Sequence, residues 1–131
     1  MTRQKVAAII IKNKKILLVR DSVMDFFILP GGALEKNEDH GTAIARELKE
    51  EIGCTIKKSD YYFSFDSPNQ RYNVPQTNHA YFVSINEEPI CSTEICELGW
   101  FSGDDIANGK VKVPPASYQK LYTKLINENF V

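Results

Sequence analysis

At 131 residues, with 43% hydrophobic and 25% charged residues, the chain has the size and balance of one ordinary globular domain, residues 1–131, rather than of a disordered or fibrous polymer. Its formal net charge of −1 provides no global basic field, which argues against nucleic-acid or membrane partners and leaves a polyanionic ligand dependent on a metal ion or a few placed cations. No apolar run approaches the roughly 20 residues that span a bilayer; the odd set of Cys54, Cys91 and Cys96, with no paired CxxC pattern and no signal-peptide pattern, favours a reducing, cytoplasmic compartment. In chain order, Val6–Ile11 and Lys15–Arg20 are apolar runs rich in β-branched residues, and Lys12-Asn13-Lys14 between them reads as a hairpin turn. Phe26–Leu29 is a short apolar strand stopped by Pro30-Gly31-Gly32. Asp39–Ile52 has helical character, with Ile44, Leu48 and Ile52 at i, i+4 and i+8 and Gly53 placed to end it.

Tyr61–Phe65 and Ala80–Ile85 read as further strands, joined by a polar loop from Asp66 to Asn78. Leu98–Phe101 is a short strand before a turn at Gly103, and after Pro114-Pro115 the residues Leu121, Leu125 and Ile126 suit a closing amphipathic helix. The order β-β-β-α-β-β-β-α predicts an α/β fold with a mixed sheet flanked by helices.

The chemistry is concentrated in the predicted helix. Glu47, Glu50 and Glu51 stand at i, i+3 and i+4 and therefore share one helix face, roughly 100° around the cylinder from the Ile44–Leu48–Ile52 stripe. One face can pack on the sheet while the other presents clustered negative charge. Like charges at this spacing repel, and a hard divalent cation relieves the repulsion, since Mg²⁺ prefers carboxylate oxygens and shares itself with phosphates. A plain solvated face is the ordinary alternative. Arg46, next to Glu47, either orients a carboxylate, contacts phosphate or decorates the surface. Gly31 and Gly32 offer backbone that can approach a ligand closely, or form a tight turn. Glu38, near the helix start, suits the positive end of the helix dipole.

These residues resemble the Nudix box, G-x5-E-x7-R-E-U-x-E-E-x-G-U with U bulky and apolar: Gly32, Glu38, Arg46, Glu47, Leu48, Glu50, Glu51 and Gly53 all match, and Cys54 stands at the last apolar position. At a background of roughly 6% per residue type, the seven fixed identities coincide by chance on the order of once in 10⁸ to 10⁹ windows. Phe27-Ile28-Leu29-Pro30-Gly31-Gly32 is similar to the aromatic-x-x-Pro-Gly-Gly approach to that box, and Leu98-Gly99-Trp100-Phe101 to the strand after the active-site loop.

The resemblance implies a Nudix fold, a mixed sheet sandwiched between helices, and a MutT-like hydrolase that splits a diphosphate linkage by water attack at phosphorus. It implies Mg²⁺, with Mn²⁺ as a substitute, held by Glu50, Glu51 and the Gly31 carbonyl, with Glu47 a further ligand or the base and Arg46 holding Glu47. Glu94, six residues before Trp100, is a second candidate for the base or the metal; Gly32, Arg20 and Glu38 are assigned to substrate binding. The resemblance implies a small nucleotide as substrate: a nucleoside triphosphate on the strength of the short chain, or ADP-ribose or another nucleoside diphosphate derivative. Val113-Pro114-Pro115-Ala116-Ser117 resembles the Pro-Pro-Ala-Asn segment that reads oxidised guanine, but Ser117 stands where the Asn would. A hydroxyl lacks the amide's paired donor and acceptor, and Ser117 suits a helix cap instead. A reading from another class, a non-catalytic nucleotide sensor, predicts a degraded glutamate cluster or an added DNA-binding domain.

Overall fold

Strand β1 (Arg3–Ile9) is apolar on both sides from Val6 onward because both sides are covered there. In a computed structural model, which describes residues 2–69, 72–92 and 95–131, Val6 and Ala8 turn to one core and Ala7 and Ile9 to another. β1 lies between β4 (Gly31–Ala33), antiparallel, and β6 (Pro75–Ile85), parallel, and β5 (Ile56–Pro68) closes the order β4-β1-β6-β5. A second, antiparallel sheet has the order β2-β3-β7, from Ile11–Lys12, Lys15–Asp21 and Ile95–Ser102. The β2–β3 turn is the expected one. Asn13 and Lys14 both have positive φ, 54° and 60°, the two-residue geometry that matches strand twist.

Helix α1 (His40–Ile52) starts and stops on local signals. The Asp39 carboxylate accepts from the Thr42 N–H at 2.7 Å, and Gly53 turns left-handed at φ 68°, its N–H reaching the Lys49 carbonyl at 3.2 Å. Ala43, Ile44, Leu48 and Ile52 of α1 pack on Val6, Ala8, Leu17 and Val19. On the opposite side Leu121, Tyr122 and Leu125 pack on Ala7, Ile9, Ile16 and Leu18. The expected arrangement of sheet between helices is therefore the observed one.

Several boundaries differ, each for a physical reason. Phe26–Leu29 is not a strand. Its backbone is divided between partners, Ile28 bridging Val19 while the Phe27 N–H bonds the Lys112 carbonyl at 2.8 Å. The supposed breaker Gly31-Gly32 is itself strand, paired with Val6 and Ala7. Much of the expected loop from Asp66 to Asn78 is strand too, since Asp66, Ser67 and Pro68 pair with Thr77, Gln76 and Pro75. Its polar side chains bond one another across the pair: the Thr77 hydroxyl donates to Asp66 at 2.8 Å and the Asn78 amide to Ser67 at 2.9 Å. Gly103 opens a short helix α2 (Gly103–Ala107), which Ser102 and Asp105 cap reciprocally. The closing helix is present as α3 (Pro115–Ser117), a π-helical turn over Tyr118–Tyr122 and α4 (Thr123–Asn127). No helix among the described residues is long and apolar enough to cross a membrane.

Leu48 is fully buried at the centre of the α1 stripe. Leu48→Ala should lower unfolding stability by about 2–5 kcal/mol, measured by denaturant titration with an unchanged slope.

Candidate active site

The β1–β4 ladder sets the glycines. Ala7 faces Gly31 and Val6 faces Gly32. At Gly31, φ is +148° and a Cβ would lie 2.1 Å from the Val6 carbonyl oxygen, so the backbone approach itself requires glycine. At Gly32 a Cβ would fall 2.5 Å from the carboxyl carbon of Glu47, so that glycine makes room for a side chain of α1. The two residues have different tasks.

Arg46 organises the acidic cluster. Its Nε and Nη2 donate to the two carboxylate oxygens of Glu38 at 2.8 and 2.9 Å, and its Nη1 donates to Glu47 at 2.7 Å. Nη2 also reaches the Ala33 carbonyl at 3.2 Å, while Glu50 lies 3.5 Å from Nη1. The Glu38 and Glu47 side chains are 8% and 15% exposed against 58% for Glu50, so two acids turn inward and one stands out. The paired guanidinium and the Glu35 backbone N–H hold the Glu38 carboxyl down at about 2. Burial pushes Glu47 up from its ordinary value, against the pull of Arg46. The Gly31 N–H donates to Glu51 at 2.8 Å, tying the third acid of the face to the glycine strand. Glu38, Glu47 and Glu50, with Glu35 at 3.7 Å, thus gather around one guanidinium at the edge of β4, and Glu51 stands beside them at the Gly31 N–H. Their hard oxygens fit a divalent cation of the Mg²⁺ type by chemistry. Among the described residues, no three His, Cys, Asp or Glu side chains already stand close enough to grip an ion.

A cleft of about 470 Å³ opens beside Gly31, Gly32 and Glu51, a volume that suits a small organic ligand. Two cations that the sequence reading missed, Lys5 and Arg3, line it from the same face of β1 as Ala7. Burial draws the Lys5 ammonium below its ordinary pKa, with Glu51 opposing. The available signal was a pair of cations at i and i+2 entering an apolar strand, which places both on one side.

The matched family and relatives agree with this geometry. The family model of the NUDIX domain matches residues 1–122. The chain belongs to the NUDIX domain family. Among its relatives, the NAD-capped RNA hydrolase NudC of Mycobacterium tuberculosis is 32% identical over an alignment covering 61% of this chain and 25% of that protein. The match therefore spans a quarter of that relative's length. The RNA pyrophosphohydrolase of Campylobacter jejuni is 31% identical, with 64% of this chain and 69% of that protein covered. The solved MutT protein from Methanosarcina mazei Go1 superposes at TM-score 0.81 over 98% of this chain and 95% of its own; at 23% identity it shows a shared fold.

Within this NUDIX chain the remaining predicted residues fall into place unevenly. Arg46, Glu47, Glu50, Glu51, Gly31 and Gly32 come together. Glu38 joins them as the anchor of Arg46, its side chain almost buried and outside the cleft lining. Arg20 is committed elsewhere: its Nε donates to Glu97 at 3.0 Å and its Nη1 to the carbonyls of Asp21 and Met24 at 3.2 and 2.9 Å. It does not line the cleft. Ser117 makes no capping bond and lines the cleft instead, which overturns its reading as a cap; Pro114 holds the N-cap position of α3. Glu94 lies outside the described residues. His79 sits within β6, its ring between Ser64 and Gln4 at 2.7 Å each, away from the cleft lining.

Glu38 ionises near 2 in the folded chain against an ordinary 4.5, so its clamp on Arg46 contributes fully above about pH 4.5 and is lost as pH falls towards 2. Glu38→Gln should lower stability at neutral pH and flatten its decline across that window, as followed by thermal unfolding at stepped pH. Gly32→Ala should leave folding cooperative but displace Glu47, costing activity out of proportion to any fall in Tm.

Proposed function

We propose that this chain is a divalent-cation-dependent hydrolase of a phosphoanhydride bond in a nucleoside triphosphate or related small nucleotide, acting by water attack at phosphorus. The observation that carries the reading is the Arg46 clamp, which fixes Glu47 against Gly32 while the Gly31 N–H holds Glu51 at the mouth of the cleft. Phosphate oxygens repel a nucleophile, so a site for this reaction needs placed positive charge and a positioned proton acceptor. Glu50 and Glu51 would hold Mg²⁺ or Mn²⁺, with Glu47 as a further ligand or the base and the Gly31 carbonyl completing the set. When bound, the ion supplies charge neutralisation and a more acidic coordinated water.

The chain's own residues do the rest. Arg46 keeps Glu47 in one rotamer, and Glu38 keeps Arg46 in place. The burial that raises the pKa of Glu47 makes it a better proton acceptor than a free carboxylate. Lys5 faces the cleft, where its ammonium suits a phosphate oxygen, and the backbone of Gly32 lets the substrate approach closely. Glu94 is the further candidate for the base. We read residues 1–131 as one catalytic domain. A reducing, cytoplasmic setting is part of the same reading, from the odd cysteine count of the sequence.

The names of the two curated relatives favour a second reading, in which the nucleotide is the 5′ end of an RNA. ADP-ribose or another nucleoside diphosphate derivative is the third. Product analysis separates them: a nucleoside triphosphate gives pyrophosphate plus a monophosphate, ADP-ribose gives two monophosphates, and a 5′-triphosphate RNA gives pyrophosphate or phosphate and a shortened 5′ end.

Glu47→Gln should lower kcat by about 10²–10⁴-fold, the usual worth of a positioned acid or base, with an unchanged circular dichroism spectrum. Glu50→Gln should weaken Mg²⁺ binding in calorimetry. Turnover of Glu50→Gln at the wild-type rate would remove it from the metal site.

A further inference from the structure

Away from the cleft, the start of α1 meets the sheet through two imidazoles. His40 is the first residue of the helix, and His79 lies within β6, paired with Val6 of β1 and Ser64 of β5. The two rings are half-buried, 4.4 Å apart between centroids and 32° from parallel. The His40 Nδ1 lies 2.7 Å from the Tyr81 hydroxyl of β6. The His79 Nε2 lies 2.7 Å from the Gln4 Oε1, and its Nδ1 lies 2.7 Å from the Ser64 Oγ, itself 2.8 Å from the Tyr61 hydroxyl. The cluster therefore ties α1 to β6, and β6 to both of its neighbours.

Donor counting fixes the protons. The Gln4 Oε1 can only accept, so the His79 Nε2 carries the hydrogen and the Nδ1 of a neutral ring accepts from Ser64. Ser64 has one hydrogen to give, so Tyr61 donates to Ser64 in turn. A proton added at the His79 Nδ1 sets donor against donor until both hydroxyls turn round. It also sets a positive charge beside the His40 ring, at the positive end of the helix dipole. Titratable and charged groups face the pair from each element: Asp39 on α1, Tyr61 and Asp66 on β5, and Tyr81 on β6, while β1 supplies the uncharged Gln4. Asp39 is bonded to the Thr42 N–H and Asp66 to the Thr77 hydroxyl; among the described residues no carboxylate forms an ion pair with either ring. Burial, and next the neighbouring His40, holds the His79 imidazole below its ordinary pKa, with Asp66 opposing.

We propose that the stacked His40–His79 pair is a pH-sensitive latch, which fastens the first turn of α1 to β6 while both rings are neutral and releases it on acidification. A histidine held below its ordinary 6.5 supports the closed form fully above that value and withdraws the support as pH falls below it. Asp39 keeps its charge at the start of this window, since its carboxyl lies below an ordinary 3.8, so the helix cap is not what changes. The turn released belongs to the helix that carries Arg46 and the three glutamates. The latch is a property of the fold and holds whatever substrate the cleft takes.

The test needs no substrate. Amide hydrogen exchange of the full chain is followed between about pH 7.5 and about pH 5, with rates corrected for the intrinsic effect of pH, beside an NMR titration of both imidazoles. Protection of the Ala43 N–H, which donates to the Asp39 carbonyl in the first turn, should fall about tenfold, the equivalent of one pKa unit. Protection of Leu48, at the buried centre of the helix, should hold constant. The His79 signal should titrate below 6.5 and move towards that value in His40→Gln. His40→Gln and His79→Phe, neither of which can take up the proton at its position, should each leave Ala43 protection flat with pH. Constant Ala43 protection in wild type, a decline that survives both substitutions, an equal decline at Leu48, or a His79 signal titrating at or above 6.5 would overturn the latch. Should His79→Phe fold poorly, His40→Gln and the wild-type titration decide.

Discussion

A helix that places three glutamates on one face is held together, in this protein, by a single guanidinium. Arg46 reaches Glu38 through two parallel bonds and Glu47 through a third, and its remaining contacts go to Ala33 and towards Glu50. Those partners belong to different parts of the chain: strand β4, the approach to α1 and α1 itself. The same charge that lowers the repulsion within the helix therefore also fixes the helix against the glycine strand. A planar fork suits this task in a way that an ammonium does not, because its five donors are arranged in fixed directions.

The glycine strand is the other half of that arrangement. Gly31 lies so close to Val6 that no side chain fits, and its N–H is left to hold Glu51. Gly32 yields its side-chain volume to the Glu47 carboxyl. Backbone and acid occupy space that in an ordinary strand–helix contact would hold apolar side chains. The core compensates elsewhere, through the α1 stripe on one side and Leu121, Tyr122 and Leu125 on the other.

Electrostatic supply to the cleft is local. The chain as a whole is nearly neutral, yet β1 directs Arg3 and Lys5 into the same cavity that Glu51 borders. Burial keeps the Lys5 ammonium under pressure to lose its proton, and the acids across from it resist that loss. On the proposed reading, a phosphate-bearing ligand would meet partly buried cations here, where charge interactions are stronger than at the surface.

Local signals settled the parts of the site that depend on neighbours in sequence. The apolar stripe of Ile44, Leu48 and Ile52 and Gly53 as terminator bounded α1 to within a residue, and helical geometry alone made Glu47, Glu50 and Glu51 cofacial. Other features were set by residues far apart in the chain. Whether Gly31-Gly32 is a breaker or a strand was decided by Val6 and Ala7, whether Ser117 caps or lines a cavity by the packing of α3, and which partner Arg20 takes by Glu97, 77 residues away. The meeting of Arg3 with Tyr72, and of Gly31 with Glu51, likewise required the sheet to form first. Helix ends and helix faces follow from contacts within four residues and can be read directly. Strand neighbours, and the cavities strands enclose, follow from pairings that only the folded chain chooses.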